Sequence, residues 1–358
     1  MSEALQRPKA AALLAALPAS PDVYPQNLDL ARGLVLAIRM EEAAYRAASF
    51  LDDRLFGAAT VGAWLPVDAV SDAAARVMDR RPLNFIFHTG HVGSTLLSRL
   101  LDESGFVLPL REPLPLRVLA DANDVLGRPD SIVGAPQFAA LLENFLRLWS
   151  RGYARTRAVV LKATSTAGRF AVPILDAGRE ARAVYLNLRA EPYLATMLAG
   201  ANSPIDLHGH GPGRLRRLQA LRPVALAPLQ AFSLGELAAL GWLVESLSRQ
   251  DALQAHAARV LPLDFDEFTA DVEGQLTRVL AHFDLPADRE IVARIARGPV
   301  LRRYSKAPEQ PFSPDERAAR LAHSRRDNRA EIARGMSWLD RMARLDGTLA
   351  LPLAGAAA

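Results

Sequence analysis

The stretch Asn84-Phe-Ile-Phe-His88-Thr-Gly90-His91-Val92-Gly93-Ser94-Thr95-Leu-Leu-Ser-Arg99 holds the residue types and spacing best suited to chemistry in this chain. A short apolar run enters a loop with two glycines, and an amphipathic pattern follows. That order predicts a strand, a tight turn and a helix. The first turn of a helix has backbone N–H groups without partners, and the helix dipole adds positive potential there. A loop that ends at such a terminus is an anion site, suited to a phosphate-like group. Gly90 and Gly93 let the backbone approach the anion, and Ser94 and Thr95 add hydroxyl donors. The nucleotide-triphosphatase pattern G-x-x-x-x-G-K-[ST] is not met, because no Lys follows Gly93.

The loop resembles the 5′-phosphosulfate loop of the sulfotransferases, which use 3′-phosphoadenosine-5′-phosphosulfate (PAPS) as sulfuryl donor. Many bacterial members have a basic residue, a small residue, Gly, Ser or Thr, then Thr and apolar residues. Here the run is His91-Val92-Gly93-Ser94-Thr95-Leu96-Leu97. His91 departs from the usual Lys or Arg. Neutral, it donates one hydrogen bond; protonated, it adds charge and makes the site pH-dependent.

Further motifs extend the resemblance across residues 83–310. Ala183-Val-Tyr-Leu-Asn-Leu-Arg189 resembles the strand that ends in the family's 3′-phosphate clamp, which makes Arg189 a bidentate phosphate ligand. Thr196 then stands in place of the family's Ser, one residue early. Glu112, in Leu110-Arg111-Glu112-Pro113, falls where relatives carry a proposed general base, with Arg111 to steady it or touch the acceptor. Pairing of Glu112 with Arg111 or Arg117 at the surface is the competing reading. Lys162 ends Val159-Val-Leu-Lys162-Ala-Thr164, similar to the family's Lys-Thr-His strand; Thr164 replaces the His and cannot act as a base. Lys162 would stabilise the leaving phosphate. It is one of three lysines in the chain, with Lys9 and Lys306, and that scarcity favours a specific use. Residues 259–286 resemble the family's late strand and helix. Arg303 and Lys306 would lie over the nucleotide.

The resemblance therefore implies PAPS-dependent, metal-free, in-line sulfuryl transfer to a hydroxyl or amine acceptor. The catalytic set is Glu112, Lys162 and His91. The donor-binding set is Gly90, His91, Val92, Gly93, Ser94, Thr95, Arg189, Thr196, Arg303 and Lys306. Two alternatives stay open: a kinase-like nucleotide-binding protein, with Asp264 at a strand end for magnesium, and a non-catalytic PAPS-binding relative.

These residues need elements to position them. From residue 83 onward, apolar strand candidates alternate with helical patterns. The strands are 83–88, 106–109, 158–163, 181–188 and 259–264; the helices are 94–104, 135–151, 169–177, 193–199, 234–256 and 272–283. Alternation of this kind predicts an α/β fold with a parallel sheet of about five strands and helices on both faces, and ligands at the carboxyl ends of the strands. Residues 1–80 read as an N-terminal helical extension packed on that core, with helices at 28–50 and 67–79; a lid or an oligomer contact are its other uses. Residues 81–350 form the α/β domain and 351–358 a frayed tail. Residues 202–223, rich in Gly, Pro, His and Arg, read as a loop, and His208 and His210 there are too few for a metal site. Residues 314–344 predict a C-terminal helical segment held down by Trp338 and Leu339.

Composition sets the outer bounds. The 358 residues are 50% hydrophobic and 23% charged, an ordinary globular balance. No apolar run is long enough to span a membrane, and the charged N-terminus has no secretory h-region. Zero Cys excludes disulfides, thiolate metal sites and a thiol nucleophile. The net charge of +4 is spread along the chain, without the basic and aromatic patch that nucleic acid requires. A bacterial, cytoplasmic enzyme with a small-molecule or amphiphilic acceptor is the expectation; oligomeric state is open.

Overall fold

The computed structural model describes residues 3–200, 202–311 and 313–350; the expected tail at 351–358 lies outside them. Residues 1–80 are not simply helical. After α1 (Glu3–Ala16) come β1 (Val23–Asp29), β2 (Leu34–Arg39), α2 (Glu42–Ala47), β3 (Gly62–Pro66) and α3 (Val67–Ala75). The three strands form an antiparallel sheet in the order β1-β2-β3. The predicted helix at 28–50 is thus corrected to a hairpin and a short helix. Gly33 turns the chain with φ 63°. Beyond it, Val35 and Ala37 are buried on one face of β2 while Leu34 and Leu36 are half-buried on the other. Alternation at period two outweighed the helical spacing.

The main sheet is built from β4 (Leu83–His88), β5 (Val107–Arg111), β6 (Ala158–Lys162), β7 (Ala183–Asn187) and β8 (Val260–Asp264). Its order is β5-β6-β4-β7-β8, and all its pairs are parallel. The strands are continuous apolar runs because helices cover both faces. Between them lie α4 (Ser94–Asp102), α5 (Leu114–Asp124), α6 (Ala135–Trp149), α7 (Ala171–Ala177), α8 (Ala190–Leu198), α9 (Ser203–Leu221) and α10 (Leu234–Ala255). After β4 the chain goes to one side for β5 and β6, then to the other for β7 and β8. The crevice of this fold therefore opens at the carboxyl end of β4, where the glycine loop stands.

Helix α9 occupies the segment expected to be a loop. Its Gly-His-Gly-Pro-Gly run disfavours helix. Leu207, Gly211, Arg214 and Leu218 nonetheless recur on one buried face, and that packing holds the helix. The chain ends with α11 (Phe265–Ala270), α12 (Val272–His282), α13 (Arg289–Arg297), the hairpin β9 (Arg303–Tyr304) and β10 (Ala307–Pro311), then α14 (Pro314–Asp327) and α15 (Arg329–Leu345). Trp338 and Leu339 are buried, as expected for the segment that pins the C-terminal helices.

The N-terminal sheet shares a core with the main sheet. Val23, Val35 and Leu65 pack in one apolar cluster with Phe85, Leu108 and Leu161. Two buried arginines sew the layers together. Arg151 donates to the carbonyls of Ser20 (2.6 Å) and Val23 (2.9 Å). Arg111 donates to those of Ala48 (2.7 Å) and Arg46 (3.0 Å) and pairs with Asp102 on α4 (2.9 Å).

Candidate active site

The loop between β4 and α4 wraps one side of a cavity of about 380 Å³, within the usual range for a small-molecule site. Gly93 caps α4 with left-handed backbone, φ 73°. It is glycine for a second reason: a Cβ there would run into the ring of Phe265, 2.7 Å from Cζ. Leu96, Leu97, Leu100 and Leu101 bury α4 against the sheet and aim its N-terminus at the cavity. Ser94 and Thr95 line that cavity. The Thr95 hydroxyl is buried and has no hydrogen-bond partner among the described residues, whereas buried hydroxyls ordinarily have one. Val92 is buried and anchors the loop. Gly90 is not among the cavity residues; it faces Ser165 and Tyr193 on the other flank.

His88 fixes the loop from below, a role the sequence did not single out. It is 5% exposed. Its Nδ1 accepts the Gly90 N–H (3.1 Å), so Nε2 carries the proton and donates to the Ala163 carbonyl (2.9 Å). Burial and nearby Lys162 hold its pKa well below the ordinary value, which keeps the ring neutral. His91 has left-handed backbone, φ 54°. Crowding by the surrounding protein and then Lys306 push its pKa down to about 4. The residue itself is open to solvent. The protonated, charge-supplying form of His91 is therefore disfavoured near neutral pH.

Lys162 and Glu112 meet because of strand register. Lys162 ends β6 directly beside Arg111 on β5 and Ile86 on β4. The next residue after Arg111 is Glu112, whose N–H donates to the Lys162 carbonyl (2.7 Å). Glu112 takes left-handed φ of 58°, a strained choice before a proline. It turns the carboxylate onto the Lys162 ammonium. Lys162 is 1% exposed. Burial lowers its pKa, while Glu112 opposes that shift. Both residues line the cavity. Arg111 neither steadies Glu112 nor reaches the cavity: its guanidinium is spent on Asp102, Ser98 and the carbonyls described above. Thr164 is not among the cavity residues.

The hairpin β9–β10 closes the far wall. Arg303 and Lys306 line the cavity, as do Arg317 and Arg320 of α14. Arg99 of α4 ties this wall to the loop, donating to the Ser305 carbonyl (2.6 Å) and to Ser49 (2.7 Å). Arg317 lies over the Phe265 ring (4.7 Å) and pairs with Asp266 (2.9 Å). Of the charged side chains on the cavity among the described residues, Lys162, Arg303, Lys306, Arg317 and Arg320 are cationic, and Glu112 alone is anionic. Arg317 and Arg320 were not singled out in the sequence. Their one signal was the i, i+3 spacing that puts them on one face of a helix.

Two expected donor-binding residues sit differently. Arg189 is exposed at the N-cap of α8 and is not a cavity residue. Thr196 lines the cavity, but its hydroxyl proton is committed to the Pro192 carbonyl one turn back (2.7 Å). Asp264 caps α11, accepting from the N–H groups of Asp266 (2.8 Å) and Glu267 (3.2 Å). No helix among the described residues is long and apolar enough to cross a membrane.

No family model and no curated protein sequence matches the chain. Solved structures similar to it include a sulfotransferase from Alicyclobacillus acidocaldarius, 15% identical, covering 75% of this chain and 98% of that one, with TM-score 0.40. A sulfotransferase from Mycobacterium avium is 11% identical, covering 89% and 96%, with TM-score 0.38. The sulfotransferase domain from the curacin biosynthetic pathway is 14% identical, covering 66% and 85%, with TM-score 0.38.

Proposed function

We propose that this chain is a sulfotransferase that takes its sulfuryl group from PAPS and delivers it to a hydroxyl or amine. The observation that carries the reading is the pairing of a helix-terminus anion loop, with an unpartnered Thr95 hydroxyl, and a cavity lined by five cations against one carboxylate. A multiply anionic nucleotide fits that balance. Ser94, Thr95 and the first N–H groups of α4 would hold the 5′ phosphosulfate. Arg303, Lys306, Arg317 and Arg320 would take the remaining phosphate charge. The residues in the sequence-based 3′-phosphate role, Arg189 and Thr196, are subordinate in this arrangement.

When bound, the donor supplies a sulfuryl group on a good phosphate leaving group. The chain's own contribution is charge and a proton acceptor. Glu112 takes the proton of the acceptor hydroxyl. Lys162, with its charge desolvated, stabilises the oxygen that gains negative charge. His91, neutral, donates a hydrogen bond at the loop. The Glu112–Lys162 contact holds both groups in place until the site is filled, and ligand anions then compete for Lys162. The use of Asp264 as a helix cap counts against the magnesium role that a kinase would give it.

Calorimetric titration of 3′-phosphoadenosine-5′-phosphate (PAP) without magnesium, into wild type and Lys162→Ala, tests the reading. Micromolar binding that weakens at least tenfold in the variant supports it. Absence of binding, with ATP–magnesium bound instead, replaces it with the kinase reading. PAP binding without transfer to any acceptor in a broad screen replaces it with a non-catalytic binder.

A further inference from the structure

The Lys162–Glu112 pair has an aromatic neighbour that is not one of the cavity residues. Residues 48–51 of the N-terminal layer run beside the end of β5. The Leu51 N–H donates to the Arg111 carbonyl (2.7 Å), and the Arg111 guanidinium returns to the Ala48 carbonyl. Ser49 accepts from Arg99 of α4. These bonds fix Phe50 where β5 gives way to Glu112. The centroid of its ring is 5.7 Å from the Lys162 ammonium nitrogen, within reach of a cation–π contact. Arg54 lies over the same ring, with Cζ 3.6 Å from the centroid, and its Nε donates to Asp52 (2.8 Å).

Exposure rises in steps along this row. Lys162 is 1% exposed. The Glu112 side chain is 17% exposed, Phe50 is half-buried, and the Arg54 side chain is 60% exposed. Phe50 is thus an apolar layer between a desolvated ion pair and a surface arginine. A ligand that displaces one ring and one exposed guanidinium comes upon the pair directly from solvent.

We infer that Phe50 is a specificity-determining residue of the transfer reaction: it covers Glu112 and Lys162 against water once the donor fills the cavity. The inference rests on the sulfuryl-transfer reading. Glu112 can take a proton from any hydroxyl that reaches it, and water is the most abundant. With water the step is hydrolysis. The water oxygen bonds to sulfur, and the bond from sulfur to the 5′-phosphate oxygen breaks. That phosphate keeps the electron pair, the proton passes to Glu112, and PAP and sulfate leave. An alcohol acceptor brings a carbon skeleton that replaces the displaced cover, whereas water brings none. Exclusion of water is the general means of suppressing this side reaction.

The test uses the full chain and radiolabelled PAPS without acceptor, following release of sulfate. Phe50→Ala should raise hydrolysis by about tenfold over wild type, with the Kd for PAP unchanged. Phe50→Leu, which restores apolar bulk, should give back most of the protection. Arg54→Ala, at an exposed position that puts the fold at no risk, should raise hydrolysis by a smaller factor. Adding Glu112→Gln to Phe50→Ala should remove the gain. In parallel, acetylation of Lys162 is counted by mass spectrometry against Lys9 and Lys306 in the same molecules, at alkaline pH so that access and not protonation sets the rate. Lys162 should react about tenfold faster in Phe50→Ala, as expected when a buried lysine is opened to water. The inference is overturned if Phe50→Ala binds PAP and hydrolyses PAPS no faster than wild type, if Phe50→Leu is as open as Phe50→Ala, or if the gain survives the loss of Glu112. Should Phe50→Ala fail to fold, Arg54→Ala decides, and no gain there overturns it. Absence of PAP binding by wild type sinks the donor reading, and unchanged labelling of Lys162 then sinks the cover as well. PAP binding with unchanged hydrolysis sinks the role of Phe50 alone.

Discussion

Thr95 offers a hydroxyl to the cavity and bonds to nothing in the protein, so its removal separates binding from stability. Thr95→Val should leave Tm unchanged or slightly higher and raise the PAP Kd by about 10- to 100-fold, the usual worth of a hydrogen bond to a charged group; calorimetry and melting on the same preparation check it. Glu112→Gln removes the carboxylate proposed as proton acceptor and the charge paired with Lys162. Turnover should fall by about 10²–10⁴ while PAP affinity holds or improves, because Lys162 is released to the ligand. An unchanged turnover would take Glu112 out of the mechanism. Both residue types were legible from their place after a strand. The partner of Glu112 was not. Arg111 and Arg117 are its neighbours in sequence, but Lys162, fifty residues on, is its neighbour across the sheet.

At the scale of elements, the glycine loop depends on a contact no local pattern contains. Gly93 has a positive φ and abuts Phe265, which begins α11 after the last strand. Gly93→Ala should cost about 2–3 kcal/mol of stability through strain and overpacking, and should abolish PAP binding by displacing the N-terminus of α4; denaturant melts with a PAP titration read both. The five main strands were legible because parallel strands buried on both faces are continuous apolar runs. The hairpin of residues 23–39 was not, because short apolar spacings suit a helix as well as a strand. Helix α9 was missed for the opposite reason: its glycines and proline argue for a loop, and only packing on α10 overrules them.

For the molecule as a whole, the N-terminal sheet completes the core. A chain starting at residue 81 would leave Arg111 and Arg151 buried without the carbonyls they bind and would expose the cluster around Phe85 and Leu108. It should be insoluble or lack near-ultraviolet circular dichroism. Acid should also weaken the intact protein in a defined window. His88, His91, His210 and His282 all have depressed pKa values, burial being the first cause in each. Above the unfolded value near 6.5 these rings are neutral in both states, so stability is at its full value. Between 6.5 and the folded values the unfolded chain takes up protons that the native chain refuses, and stability falls as pH falls. For His88, which is nearly inaccessible, the slope is about 1.4 kcal/mol per pH unit. Urea melts from pH 7.5 to 5 should show the decline, and His88→Gln should flatten it.

The sequence by itself determined the α/β class, the five strands of the main sheet, the glycine loop at the start of α4 and the place of Lys162 and Glu112 at or just after strand ends, since each depends on local periodicity or on order along a strand. Only the tertiary structure decided which side chains share the cavity. It admitted Arg317 and Arg320, left Arg189 outside, spent Arg111 on the N-terminal layer and set Phe50 beside Lys162. The physical reason is range. Hydrogen bonding along a strand or a helix turn is set by near neighbours, whereas a charge finds its partner through space, across residues that the chain brings together only when the core closes.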